Sequence, residues 1–186
     1  MPLVGDLRQH GLSGEIGMAC LEGDRFCVAD RGGRRLELPL AEIERVRVVR
    51  YVSGIRPPMH ETKIWRQGRA APLLIVPVDP RTYGRGIRAL ALRVAQTGGI
   101  DRIMRGPGLL TATLNLLLIN GSLAMLAAGA VALALLAGWA WWLLALPILF
   151  LNGLALRDTF RKRWPRRISS VDELESELPV DERKLK

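Results

Sequence analysis

The chain has 186 residues, 27 Lys and Arg against 18 Asp and Glu, a formal net charge of +9 and 49% apolar residues. That length holds one domain of ordinary size with a core of its own. Two cysteines, Cys20 and Cys27, are too few for a disulfide framework and predict free thiols in a reducing compartment. Nearly all the positive charge is Arg; only Lys63, Lys162, Lys184 and Lys186 are lysines. Either phosphate and carboxylate binding or plain nucleotide composition accounts for that bias.

Met1–Leu12 reads as an irregular arm, with no apolar run of the kind a signal peptide carries. From Glu15 the pattern is one of short β-like runs: Ile16–Leu21, a turn at Glu22-Gly23-Asp24, Arg25–Ala29, a turn at Asp30–Gly33, then Arg34–Leu38. Gly beside a charged residue is common in hairpin turns. Ile43–Val52 is rich in β-branched residues and predicts a strand. Neither of its faces is purely apolar, which predicts a bend or bulge near Val48-Val49. Ser53–Met59, with Gly54, Pro57 and Pro58, predicts a loop. Thr62–Arg66 and Pro72–Val78 predict two further strands, turning at Gln67-Gly68.

Asp79-Pro80 starts a helix, since Asp caps an N-terminus and Pro suits the first turn. Tyr83, Ile87, Leu90 and Val94 share one face of it, and Gly98-Gly99 ends it. Arg81, Arg85 and Arg88 form a second stripe.

Short strands followed by one amphipathic helix resemble the pleckstrin-homology-like fold. The stretch Arg35-Leu36-Glu37-Leu38-Pro39-Leu40-Ala41-Glu42-Ile43-Glu44-Arg45-Val46 is similar to the bacterial versions, in which a strand ends in a Pro-Leu-x-x-Ile turn that leads into the next. The resemblance covers about Gly14–Gly99. It implies a small, bent β-rich barrel closed at one end by a C-terminal helix, and a binding module for lipid headgroups or protein partners.

Gly106–Leu156 contains no Asp, Glu, Lys or Arg in 51 residues. One helical membrane span needs about 20 apolar residues, so this stretch predicts two, over about Thr111–Leu136 and Trp139–Leu156, turning at Ala137-Gly138-Trp139. Trp139, Trp141 and Trp142 suit the headgroup boundary, and Pro147 is tolerated within a span. Gly121, Ala124, Ala128 and Ala132 line one face of the first helix and predict a packing surface, directed either at the second helix or outward. Asn115, Asn120 and Asn152 are the amides within the apolar stretch, expected to find partners between helices or among headgroups near the interface. Basic residues flank both mouths: Arg93, Arg102 and Arg105 before the apolar stretch, and Arg157, Arg161, Lys162, Arg163, Arg166 and Arg167 after it. The turn is uncharged, so the positive-inside rule predicts both termini in the cytoplasm.

The run Arg161–Arg167 contains Trp164 and either sets topology or meets anionic lipid. Ser170-Val171-Asp172-Glu173 is a capping box and predicts a short tail helix to Leu178, with Val171, Leu174 and Leu178 on its apolar side.

Enzymatic chemistry leaves no trace. His10 and His60 with Cys20 and Cys27 offer four metal ligands, but lack the tight ligand pairs of zinc sites; no metal or other cofactor is expected. Gly84-Arg85-Gly86-Ile87-Arg88-Ala89 matches a dinucleotide fingerprint without the second strand and acidic residue that the fingerprint needs.

The sequence therefore predicts an α+β membrane protein in four parts: an arm over 1–13, a cytoplasmic pleckstrin-homology-like domain over 14–105, a two-helix hairpin over 106–156, and a juxtamembrane segment and tail helix over 157–186. Its expected role is non-catalytic, presenting a binding domain at the bacterial inner membrane to recruit or steady a partner. Anionic lipid or a partner would meet Arg81, Arg85, Arg88, Arg161, Lys162, Arg163, Arg166 and Arg167. A protein partner or a second copy is expected, and nucleic acid is not. The alternatives are an accessory subunit packed through the hairpin and a membrane-shaping hairpin.

Overall fold

The computed structural model describes residues 2–4, 7–12, 16–51, 58–138 and 142–179. The expected loop at Ser53–Met59 falls mostly outside them, as do Trp139 and Trp141. The chain divides into two compact units, Met1–Gly106 with Arg166–Lys186, and Pro107–Pro165.

The first unit is α+β. Its strands are β1 (Pro2–Val4), β2 (Ile16–Glu22), β3 (Arg25–Asp30), β4 (Arg35–Pro39), β5 (Ile43–Tyr51), β6 (Met59–Arg66), β7 (Leu73–Pro77), β8 (Ile103–Arg105) and β9 (Arg166–Arg167). They form one sheet in the order β4-β3-β2-β1-β7-β6-β5-β8-β9. All neighbours are antiparallel except β5 and β8. The order has two free edges, β4 and β9, so no closed barrel forms among the described residues. Helix α1 (Pro80–Gly98) joins β7 to β8 through a 3-10 turn at Ile100–Arg102.

Local chemistry explains most of these elements. Gly23, at φ +58°, takes the first position of a two-residue turn between β2 and β3, a place that favours glycine. The Asp30 carboxylate accepts from the Arg34 amide at 2.9 Å and holds the next turn. The Asp79 carboxylate accepts from the Thr82 amide at 3.3 Å, capping α1. Tyr83, Ile87, Leu90 and Val94 are each fully buried, as their spacing requires.

The arm is a correction. Pro2–Val4 is an interior strand, with Leu3 opposite both Gly17 and Pro77, and Leu7 is fully buried beyond it. Close packing here excludes a side chain at position 17: a Cβ would lie 2.7 Å from the Ala29 carbonyl oxygen. The irregularity in β5 also moves. The ladder is continuous at Val48 and Val49, both buried, and shifts register between Ile43 and Arg45 instead.

The tail completes the first unit. β9 pairs with β8, Met104 opposite Arg167 and Arg105 opposite Arg166. A 3-10 helix over Val171–Ser176 follows, its start capped by the Ser170 hydroxyl, which accepts from the Asp172 amide. Ile168, Val171, Leu174 and Leu178 enter the same core as the α1 face. The His60 ring meets the Glu177 carbonyl through Nδ1 at 2.7 Å, and Arg88 pairs with Asp172 at 2.8 Å.

The second unit holds α2 (Leu109–Ala137) and α3 (Trp142–Asp158), which lie against each other, then a π-helical turn over Thr159–Arg163. An 18-residue stretch within Leu109–Leu136 has a mean hydropathy of 2.1. At 1.5 Å per residue α2 is about 43 Å long, long and apolar enough to cross a membrane. Pro147 lies inside α3 without ending it.

Candidate functional site

The helix seam in the second unit differs from the small-residue stripe. On α2 the residues shielded from solvent include Leu116, Asn120, Leu123, Ala127, Ala130 and Ala134, a three-four alternation that keeps one side of a helix facing its neighbour. On α3 the matching set is Ala145, Ile148, Asn152 and Ala155, continued by Thr159 at the start of the π-helical turn. Gly121 is half-buried, while Ala124, Ala128 and Ala132 are exposed and face away from the seam. The amides of Asn120 and Asn152 fall on the seam. The Asn120 amide nitrogen donates to the Leu116 carbonyl at 3.3 Å. The Oδ1 atoms of both asparagines are buried without a hydrogen-bond partner, a costly condition for a polar atom.

The residues expected to meet an anionic ligand are carried by α1, the π-helical turn and its connection, and β9. Arg85 is exposed on α1, and Arg88 is half-buried and paired with Asp172. The Arg81 side chain, like those of Lys162 and Arg163, lies outside the described atoms. Arg161 is exposed in the second unit, whereas Arg166 and Arg167 are exposed on β9 in the first. The fingerprint-like Gly84–Ala89 run is the interior of α1, where Gly84 approaches Pro179; a Cβ there would be 3.4 Å from the Pro179 carbonyl oxygen. It forms no phosphate-binding turn.

A basic, aromatic patch lies instead on the sheet. The guanidinium groups of Arg45 and Arg47 sit 5.7 Å and 5.2 Å from the Trp65 ring centroid, within cation-π range. Arg45 also meets Glu44 at 3.8 Å. The Nε of Arg47 is buried and unpartnered, and burial together with Arg45 pushes the Arg47 pKa down. Beside them Glu44, Arg45, Asp101, Arg102, Met104 and Arg167 line a cavity of about 310 Å³. Alternation in β5 and β6 is the signal that identifies this patch: Arg45 and Arg47 share a side of their strand, and Trp65 is the cross-strand partner of Arg45.

The two cysteines lie directly opposite each other on β2 and β3. Cys27 is buried as expected, but Cys20 is exposed. The Cys20 thiol donates to the Glu22 carboxylate at 3.2 Å, and the Arg35 guanidinium donates to Cys27 Sγ at 3.1 Å and also to Glu22. The histidines are placed elsewhere, His10 beside the Pro72 carbonyl and His60 beside Glu177. Comparison with family models, with curated proteins and with solved structures returned no match.

Proposed function

We propose that this protein is a non-catalytic binding module fixed in a bacterial-type inner membrane, presenting a divergent pleckstrin-homology-like domain to a partner at the cytoplasmic surface. The observation that carries the reading is the placement of the apolar unit. It is inserted between β8 and β9, which are hydrogen-bonded neighbours in one sheet. A chain that leaves and re-enters one folded unit at adjacent strands has both ends of its insertion on the same side of a membrane. An even number of crossings follows, and α2 and α3 supply two as a transmembrane hairpin. The uncharged turn and the basic flanks favour cytoplasmic ends. Leu117, Leu118, Leu126, Leu135, Leu143 and Phe150 are all more than half exposed, a composition that suits lipid. The antiparallel strands and the helix after β7 support the domain resemblance.

A second reading, an accessory subunit of a membrane complex, is favoured by the outward stripe of Ala124, Ala128 and Ala132 on α2, since small residues let a third helix approach closely.

Labelling of intact cells with a membrane-impermeant maleimide tests the topology in a background lacking Cys20 and Cys27. Gly138→Cys should react from outside and Arg85→Cys only after lysis. Reaction of Arg85→Cys in intact cells, with none at Gly138→Cys, would overturn the orientation. Crosslinking in native membranes, with and without a charge-reversed patch (Arg45→Glu, Arg47→Glu), tests the binding role. One partner captured by the parent chain and lost from the variant is expected; an unchanged set of adducts counts against the module.

A further inference from the structure

We propose that Cys20, Cys27 and Glu22 form a thiolate-rich binding site for one divalent cation of the zinc class. The inference is independent of the membrane reading, because all three residues belong to the β2–β3 hairpin. One ligand atom from each lies within 4.8 Å of the other two. Strand periodicity causes this: Cys20 and Glu22 are two apart on β2 and share a face, and Cys27 is the cross-strand partner of Cys20. Two thiolates and a carboxylate are accepted zinc ligands, with water completing a tetrahedron.

The surroundings match the charge of such an ion. Arg25 bonds Glu37 at 2.7 Å, and Arg35 bonds Glu37 at 3.3 Å as well as Glu22. With both thiols protonated, these two arginines face three carboxylates, Glu22, Glu37 and Asp24, the last 3.9 Å from Arg25. Binding exchanges two thiol protons for one M²⁺: two metal–sulfur bonds and one metal–oxygen bond form, both protons pass to solvent, and the local charge is unchanged. Arg35 then remains hydrogen-bonded to the Cys27 thiolate and to Glu37, the outer support that metal ligands commonly have.

The same register argues against a disulfide. The two-residue turn makes Glu22 and Arg25 a hydrogen-bonded pair, and ladder alternation gives Cys20 and Cys27 the same pairing. Cβ atoms in such pairs lie toward the wide end of about 4.5–5.5 Å, beyond the roughly 3.5–4.5 Å of disulfides. Two metal–sulfur bonds of about 2.3 Å span that gap.

The test uses the full chain in detergent with a non-thiol reductant. Cd²⁺ titration, read by thiolate-to-metal charge-transfer absorbance, should saturate at one ion per chain, and Zn²⁺ should compete it away. Cys20→Ser, an exposed position, should lose about half the absorbance and weaken Zn²⁺ binding by more than the roughly 10–100-fold that an outer-shell change costs. Glu22→Gln should keep the full absorbance and bind at least about 10-fold more weakly. Circular dichroism and thermal melting without metal should be alike in all three proteins. Absence of saturable absorbance in the parent chain overturns the site, as does unchanged binding by Cys20→Ser. Formation of a Cys20–Cys27 disulfide in air, by a reduced protein that takes up no Cd²⁺, overturns it too and identifies a redox pair instead.

Discussion

Excising the apolar unit should leave a folded soluble protein only if the tail is kept. Arg105 and Arg166 are the last cross-strand pair before the insertion, so an Asn-Gly linker in place of residues 106–165 converts β8 and β9 into an ordinary two-residue hairpin. The comparison is a fragment that stops at Gly106. It lacks Ile168, Val171, Leu174 and Leu178, all at most 8% exposed in the parent. Burial of such side chains contributes about 1.5–3 kcal/mol each, or on the order of 6–12 kcal/mol for the four, an upper estimate because unfolded chains already bury some surface. Domains are stable by only about 5–15 kcal/mol. The joined protein should therefore melt cooperatively, while the short fragment should be largely unfolded and sensitive to protease at 25 °C. Leu174→Ala in the joined protein should cost about 2–5 kcal/mol in chemical denaturation. A short fragment as stable as the joined protein would refute the claim that the tail belongs to the core.

Three further outcomes follow from particular contacts. Tyr83→Phe strands the Thr62 hydroxyl, whose oxygen lies 2.6 Å from the Tyr83 hydroxyl in a buried site; it should cost about 1–3 kcal/mol, part of which a Thr62→Val partner change recovers in a double-mutant cycle. His60 is held below its usual pKa by burial, so the unfolded chain binds the extra proton, and stability should fall as pH drops through about 6.5. Glu177 shifts the other way, its carboxyl raised by burial, giving stability that is lost as pH rises from about 4.5. The difference between the parent and His60→Gln in denaturant midpoints from pH 8 to 5 isolates the histidine, and an unchanged pH profile in the variant removes it as the cause. In the second unit, Ala127→Ile should destabilise the helix pair because Ala127 is 2% exposed, whereas exposed Ala128→Ile should leave the pair intact in a helix-proximity crosslinking assay; equal loss from both changes would contradict the seam.

Elements governed by neighbours in sequence were legible. The α1 face, its Asp79 cap, the Gly23 turn and the Ser170 cap all depend on residues a few positions apart. Elements that depend on distant partners were not. Pro2–Val4 is too short to display a period, and only β2 and β7 make it a strand. Val171, Leu174 and Leu178 were legible as an apolar stripe, but nothing in eight residues tells which core receives them. The seam of α2 was obscured by composition: alanine occurs at 124, 127, 128, 130, 132 and 134, on every side of the helix, so small size alone cannot select a face. The Arg45–Arg47–Trp65 patch needed the register of β5 against β6. The closeness of Cys20 and Cys27 was foreshadowed by the turn between them, although the exposure of Cys20 was not.

The insertion of the apolar unit between β8 and β9 has a consequence for biosynthesis. A ribosome making roughly 5–20 residues per second takes about 3–12 s to extend the chain from position 106 to 165, and the core side chains Ile168 to Leu178 emerge only afterwards. During that interval the sheet lacks one edge strand, and α1 lacks its covering segment. The domain cannot close until both apolar helices have been made and β9 has emerged to pair with β8. In the proposed hairpin topology, folding would report completed membrane insertion. In that topology, a chain whose second helix failed to integrate would retain an open core, exposed to the proteases that clear unfinished proteins.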